Sequence, residues 1–318
     1  MIQGIRKIVT HNGRVQPRER AVVITNPEMQ PIADLLVAEL AAQGAEVVRH
    51  VVPTRERDGQ EPPAEAAAAM LDAHVIFSPV SVSITHTRAM RAALERGARA
   101  ILMTAHNERV LSCPALIETD FAAQAPVGRA IGVAFQQGKE VHLTSAKGTN
   151  LRIPIAKRPV NILTGIPGRG ELAPVPTIET NVVPVHGASE GILVADGSIP
   201  YLGIGVLKEP VVCTIRRGYI VKMEGGEQAK RFEAVLRSHN HPECFNVAEL
   251  GVGLNPNATL TGFMLEDEGV MGSIHIGIGT SLTLGGEIVA PTHYDLVMLD
   301  AKLVIDGRTV MENRRVLR

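Results

Sequence analysis

Strand and helix signals alternate along the first half of the chain, and that alternation limits the fold more than any other feature. AVVIT, residues 21–25, is a compact β-branched run. Apolar residues at helical spacing follow (Ile32, Leu35, Leu36 and Leu40) up to a stop at Gly44, and EVVRHVV then reads as a second strand. The unit recurs: PPAEAAAAMLDA reads as a helix, AHVIFSP as a strand, THTRAMRAALERGA as a helix ending near Gly97, and RAILMT as a strand. ALIETDFAAQAPVGRAIGVAFQQG adds one further helix. Strands joined through helices run parallel, so a mostly parallel βαβ sheet is expected here. No GxGxxG and no Gly-x4-Gly-Lys-Ser/Thr follows any of these strands, which leaves a nucleotide site without support.

The texture changes near residue 140. EVHLTSAKGTNLRIPIA, GILVADGSIP, EPVVCTIRRGYIVKMEGG and DLVMLDAKLVIDGRTVMENRRVL read as short strands punctuated by Gly, Asp-Gly or Pro turns. One helix interrupts them, with Ala229, Phe232, Val235 and Leu236 on one face. A chain of 318 residues exceeds the usual single-domain size. The expectation is therefore an α/β protein with an N-terminal parallel domain, residues 1–140, and an α+β domain rich in antiparallel strands, residues 141–318, that carries the functional site. Aromatic residues make up only 3% and Trp is absent, so aliphatic side chains and Met must fill the core.

Charge narrows the partners. Lys+Arg 32 against Asp+Glu 33 gives a net charge of −1, and aromatic residues for stacking bases are lacking, so nucleic acid is excluded as a ligand. The three cysteines are odd in number and far apart, as in a reducing compartment. The N-terminus has no continuous apolar h-region and no apolar run reaches transmembrane length, so a cytoplasmic protein without membrane contact is expected.

Candidate ligands gather in the second half. His293 and Asp295 flank Tyr294, and in a strand residues i and i+2 face one side, so an imidazole and a carboxylate can meet at one point. Apolar neighbours on both sides imply a buried strand, where an unpaired carboxylate is costly and a metal or cationic partner is favoured. His275 lies eighteen residues before His293, and Glu249 sits between an apolar segment and a Gly-x-Gly-x-Asn-Pro turn. Glu266, Asp267 and Glu268 read as a solvated loop. His239 and His241 resemble a chelating pair, but their place at a helix C-terminus favours an exposed, dipole-facing role. Gly272, Gly277, Gly279, Gly285 and Gly286 would let backbone approach a crowded site.

The order of motifs from about residue 140 onward, KGTNLRI, IETNVVPVHGASEGILVADGSIP, AELGVGLNP, MGSIHIGIGTSLTLGG and THYD, resembles the aminopeptidase T/aminopeptidase S family of metallopeptidases. It is also similar to that family's relative, the iron-dependent dihydroxypyridine ring-cleaving dioxygenase. The aminopeptidase resemblance implies a divalent metal site, with Zn, Co or Mn, held by Glu179, Glu249, His275, His293 and Asp295. It also implies proton-handling roles for Glu179 and Glu249 and a homo-oligomer. The family's Tyr falls here on Leu282. The dioxygenase relative has a His where this chain has Glu249, and lacks counterparts of Glu179 and His275. Three carboxylates and two histidines suit hydrolytic metals better than a facial iron triad. The leading expectation is thus a metal-dependent hydrolase of amide or peptide bonds, acting on a small molecule or short peptide. A Fe(II) ring-cleaving dioxygenase of a dihydroxypyridine-type ring is the alternative, and a non-catalytic binding protein of the same fold is the second.

Overall fold

The computed structural model describes residues 1–317 and divides into two compact units. One comprises Met1–Ala123 and Leu163–Thr177, and the other comprises Gln124–Ile162 and everything from Ile178 onward. The first unit holds a five-stranded, fully parallel sheet. Its order is Glu46–Val51, Arg20–Thr25, Val75–Ser78, Arg99–Leu102 and Leu172–Pro174. Helices Gln30–Ala42, Ala64–Leu71 and Arg88–Glu95 connect the first four strands in the expected alternation. Gly44 and Gly97 end two of these crossovers with φ of +77° and +97°, a backbone region that L side chains rarely adopt. Thr87 opens the Arg88–Glu95 helix, its hydroxyl accepting the Met90 N–H at 3.1 Å. The core here is built from small and aliphatic side chains, Val22, Ile24, Met70, Ile76, Met90 and Ala93 among them. The fifth strand comes from well beyond the first 140 residues. The run from 115 to 138 breaks into two helices, Pro114–Ile117 and Phe121–Gln137, rather than one.

The second unit is built from an eight-stranded and a seven-stranded sheet; the strands of the first, and those of the second from Glu179–Val182 to Gly205–Val206, pair antiparallel. Helix Glu227–Ser238 buries Ala229, Phe232 and Leu236, while Val235 is only partly covered. Four strands at the middle of the seven-stranded sheet concern the site: Glu179–Val182, Val247–Gly253, Ile274–Gly279 and His293–Met298. They carry Leu250, Val252, Ile274, Ile276, Ile278, Leu296 and Met298 on one face, all fully buried. The fold class is thus the α/β layout expected, with a parallel sheet and antiparallel sheets. Among the described residues no helix is long and apolar enough to cross a membrane.

Candidate metal centre

The opposite face of those four strands gathers every residue singled out as a ligand. Cross-strand partners share a face, and the register pairs His275 with Gly251, Asp295 with Gly277, His293 with Gly279, Glu249 with Gly277 and Glu179 with Gly253. Each bulky polar side chain therefore faces a glycine. At Gly251 the space is the imidazole's own: a Cβ there would lie 1.8 Å from His275 Nε2. At Gly277 a Cβ would lie 2.7 Å from the His293 ring and 2.8 Å from the Glu249 Cβ.

A bulge sets the phase of the Glu249 strand. Val247 pairs with Ile278 on the apolar face and Glu249 with Gly277 on the site face, leaving Ala248 as the extra residue. In a regular strand Glu249 would share the face of Val247 and point into the aliphatic core. One inserted residue turns the carboxylate to the other side.

The five side chains form two groups that share Glu249. Glu179, Glu249 and His275 offer ligand atoms within 4.8 Å of one another, and so do Glu249, His293 and Asp295. His275 Nε2 lies 3.6 Å from both Glu179 Oε2 and Glu249 Oε1. His293 Nε2 lies 2.9 Å from Glu249 Oε2 and 3.6 Å from Asp295 Oδ1. Glu179, Glu249, His275 and Asp295 are buried, whereas the His293 side chain keeps 22% of its exposure. Solvent therefore reaches this group of five at His293.

Neighbours fix the orientation of each ligand atom. His293 Nδ1 donates to the Thr280 carbonyl at 2.7 Å, which leaves Nε2 as the nitrogen turned to the carboxylates. Asn181 donates to Glu179 Oε1 at 2.9 Å and is itself bound through its Oδ1 by Asn161 at 2.8 Å. The Tyr201 hydroxyl lies 2.7 Å from Asp295 Oδ2 and 2.8 Å from Glu268 Oε1. In both Glu179 and Asp295, one oxygen is held and the other, Oε2 or Oδ1, is buried with no hydrogen-bond partner, as is His275 Nδ1.

Crowding of buried carboxylates shifts the titration of the whole group. Burial raises Glu179 to about 7, opposed by His275 and helped by the Glu249 charge. Burial and the Asp295 and Glu179 charges hold Glu268 well above the usual carboxylate range. Against burial, contacts to Glu249, Glu179 and Asp295 raise His275 to about 9, and Asp295 and Glu249 raise His293 well above its ordinary value. Burial opposes the shift at Glu249 and Asp295, but their imidazole partners hold both below the usual range. Without a cation, protons on the imidazoles balance this negative pocket. A divalent ion can replace those protons and engage the partnerless oxygens, so the donor set fits a metal.

Of the remaining candidates, one resolves differently. Glu266, Asp267 and Glu268 are not a solvated loop: all three are buried. Glu266 accepts from Thr259 and Thr261, Asp267 from the Thr261 and Gly262 N–H groups, and Glu268 meets Tyr201. The sequence does not single out Tyr201, and it offers Glu268 only as part of that loop, because 94 and 27 positions separate them from Asp295 and no motif spacing links them. His239 and His241 stand exposed at the end of their helix, outside both groups. Leu282 is 52% exposed on a short 3-10 turn beginning two residues after Thr280.

Comparison with known proteins bears on the reaction. A family model described as NicX, 2,5-dihydroxypyridine 5,6-dioxygenase, matches residues 2–318. A curated relative, the 2,5-dihydroxypyridine 5,6-dioxygenase of Pseudomonas putida, is 25% identical over 189 residues, 55% of this chain and 53% of the relative. The matched segment thus spans about half the length of that relative. Among solved structures, the 2,5-dihydroxypyridine dioxygenase of Pseudomonas putida KT2440 superposes with a TM-score of 0.85 at 18% identity, covering 99% of this chain and 96% of the other. AmpT from Thermus thermophilus superposes with a TM-score of 0.66 at 15% identity over 100% and 99%. Both therefore share the fold, and the relationship to aminopeptidase T holds at that level.

The hydrolase and metallopeptidase expectation is overturned by the family match. Its physical basis was too coarse. The ordered motifs lie on a fold shared with both a dioxygenase and AmpT, and so report the fold rather than the reaction. The carboxylate-rich donor set does not decide the matter either, because one imidazole with two carboxylates, the content of each triad, suits more than one divalent metal.

Proposed function

We propose that this chain, which belongs to the 2,5-dihydroxypyridine 5,6-dioxygenase family, is a metal-dependent ring-cleaving dioxygenase of a hydroxylated N-heteroaromatic compound. The family match across residues 2–318 is the observation that carries the reading. The group of His275, His293, Asp295, Glu179 and Glu249 supports the metal dependence, since each of its two triads joins one histidine to two carboxylates that could hold a divalent ion. In this reading Glu249, His275, His293 and Asp295 would hold Fe(II), which when bound relays electrons from the ring to O2, and Glu179 is left to handle a proton.

The protein's own contribution is orientation, dryness and proton control. The Thr280 carbonyl fixes the His293 tautomer, and the glycines opposite each ligand bring backbone close without crowding the imidazoles. The ring enters beside His293, where the group meets solvent. Glu179, with its partnerless Oε2, takes up the proton that a ring hydroxyl releases. Both atoms of O2 then end in the opened product, across the bond between ring carbons 5 and 6 in the reaction that the family's name specifies.

The test is oxygen uptake by protein loaded anaerobically with ferrous iron. The expected result is consumption of one O2 per 2,5-dihydroxypyridine, with no uptake from protein loaded with Zn2+. No uptake with any dihydroxypyridine, despite stoichiometric iron, would refute the reading.

A further inference from the structure

Asp295 reaches the site with only one oxygen free, and the cause lies in residues outside the ligand set. Its Oδ1 is buried without a hydrogen-bond partner, while Oδ2 is 2.7 Å from the Tyr201 hydroxyl. Tyr201 follows the short strand Ser198–Ile199, which pairs with the Asp295 strand through Ser198 and Val297. Its ring packs against Tyr294 at 5.2 Å between centroids, and Tyr294 packs in turn on Phe232 at 5.9 Å. The hydroxyl is therefore placed by an aromatic stack and a strand pairing, independently of Asp295. The same hydroxyl meets Glu268 at 2.8 Å, buried just after the short helix Met264–Asp267. Glu268 is absent from both groups of potential ligands, and its carboxyl meets the site through Tyr201 and Asp295 and feels the Glu179 charge.

Resting on the metal site proposed above, we infer that Tyr201 and Glu268 are positioning residues that make Asp295 a one-oxygen ligand. Tyr201 occupies Oδ2 and fixes the rotation of the carboxylate about its side-chain axis. Glu268 holds the same hydroxyl, so that it cannot swing away when Oδ1 engages a cation. A carboxylate without this restraint can offer both oxygens and take up an additional coordination position. That position is one that O2 and a hydroxylated ring would otherwise share. Asn181 treats Glu179 in the same way, by holding Oε1 and leaving Oε2 free, which shows the arrangement twice on one sheet face. Outer partners of this kind typically change metal affinity or activity by about 10–100-fold when removed.

The experiment uses the full chain loaded with Co(II), read by visible absorption and by competition with a chelator. Tyr201→Phe keeps the ring stack and removes only the hydroxyl. It is expected to weaken Co(II) binding by about tenfold or more and to change the ligand-field bands. Glu268→Ala, which leaves Tyr201 in place, is expected to move the same bands in the same direction. Glu268→Gln retains a polar partner for the hydroxyl and is expected to restore the wild-type spectrum. Asp295→Ala separates the two levels. If it binds Co(II) as the wild type does, the underlying metal site is wrong. If it loses the metal while Tyr201→Phe keeps wild-type affinity and spectrum, the metal site stands and the positioning role is overturned.

Discussion

A histidine says little by its identity, and two in this chain mark the extremes. His293 is useful because of one carbonyl: Thr280 takes its Nδ1–H and turns Nε2 to Glu249 and Asp295. His106 lies just beyond the Arg99–Leu102 strand, 98% buried, with Nδ1 3.4 Å from the Thr104 carbonyl. Burial pushes its imidazole down to about 4, against about 6.5 in an unfolded chain. The folded protein resists protonation there, so this stabilisation is complete above the unfolded value and is lost as pH falls through the folded one. The full shift is worth about 3 kcal/mol. Urea unfolding of the wild type and of His106→Gln is expected to show a stability difference about 2 kcal/mol less favourable to the wild type near pH 4.5 than near neutral pH. A difference independent of pH would show that His106 is not held neutral by the fold. His-x-Asp was readable in the sequence because strand alternation puts i and i+2 together. Tyr201 and Glu268 were not, since their meeting with Asp295 depends on tertiary pairing.

At the scale of the strand, glycine decides what fits. His275 occupies the space above Gly251, and the pairing places one directly opposite the other. Gly251→Ala is expected to displace the imidazole, lowering bound metal per chain by about tenfold and costing about 1–3 kcal/mol of stability through overpacking. Elemental analysis after metal loading, alongside thermal unfolding, checks both. Full metal content with unchanged stability would mean that His275 has another rotamer available and does not need the glycine. Of the glycines the sequence singles out, Gly277 and Gly279 face ligands, whereas Gly251 and Gly253, opposite His275 and Glu179, are not among them. Which glycine faced which ligand was not readable, because the register depends on the bulge at Ala248. By simple alternation from Val247, the sequence would point Glu249 into the core. The parallel half was more legible, since helical and strand periods alternate without ambiguity from AVVIT to RAILMT. Its fifth strand, Leu172–Pro174, escaped because a three-residue run with a proline carries too little pattern.

For the molecule as a whole, fold and chemistry separate. The same fold appears in a relative named as a dihydroxypyridine dioxygenase and in AmpT, with TM-scores of 0.85 and 0.66. Motif order therefore led to the right architecture and to the wrong reaction class. The donors meet as groups that could hold a metal, yet three carboxylates and two imidazoles are compatible with more than one kind of metal chemistry. The central claim is that the chain adds molecular oxygen to a dihydroxypyridine-type ring, and isotope labelling tests it most directly. Iron-loaded protein is given 2,5-dihydroxypyridine under 18O2 in ordinary water, and the opened product is analysed by mass spectrometry. The account predicts incorporation of both labelled atoms, less any later exchange with water. A product that takes its new oxygen only from water, or the return of unchanged substrate, would contradict it.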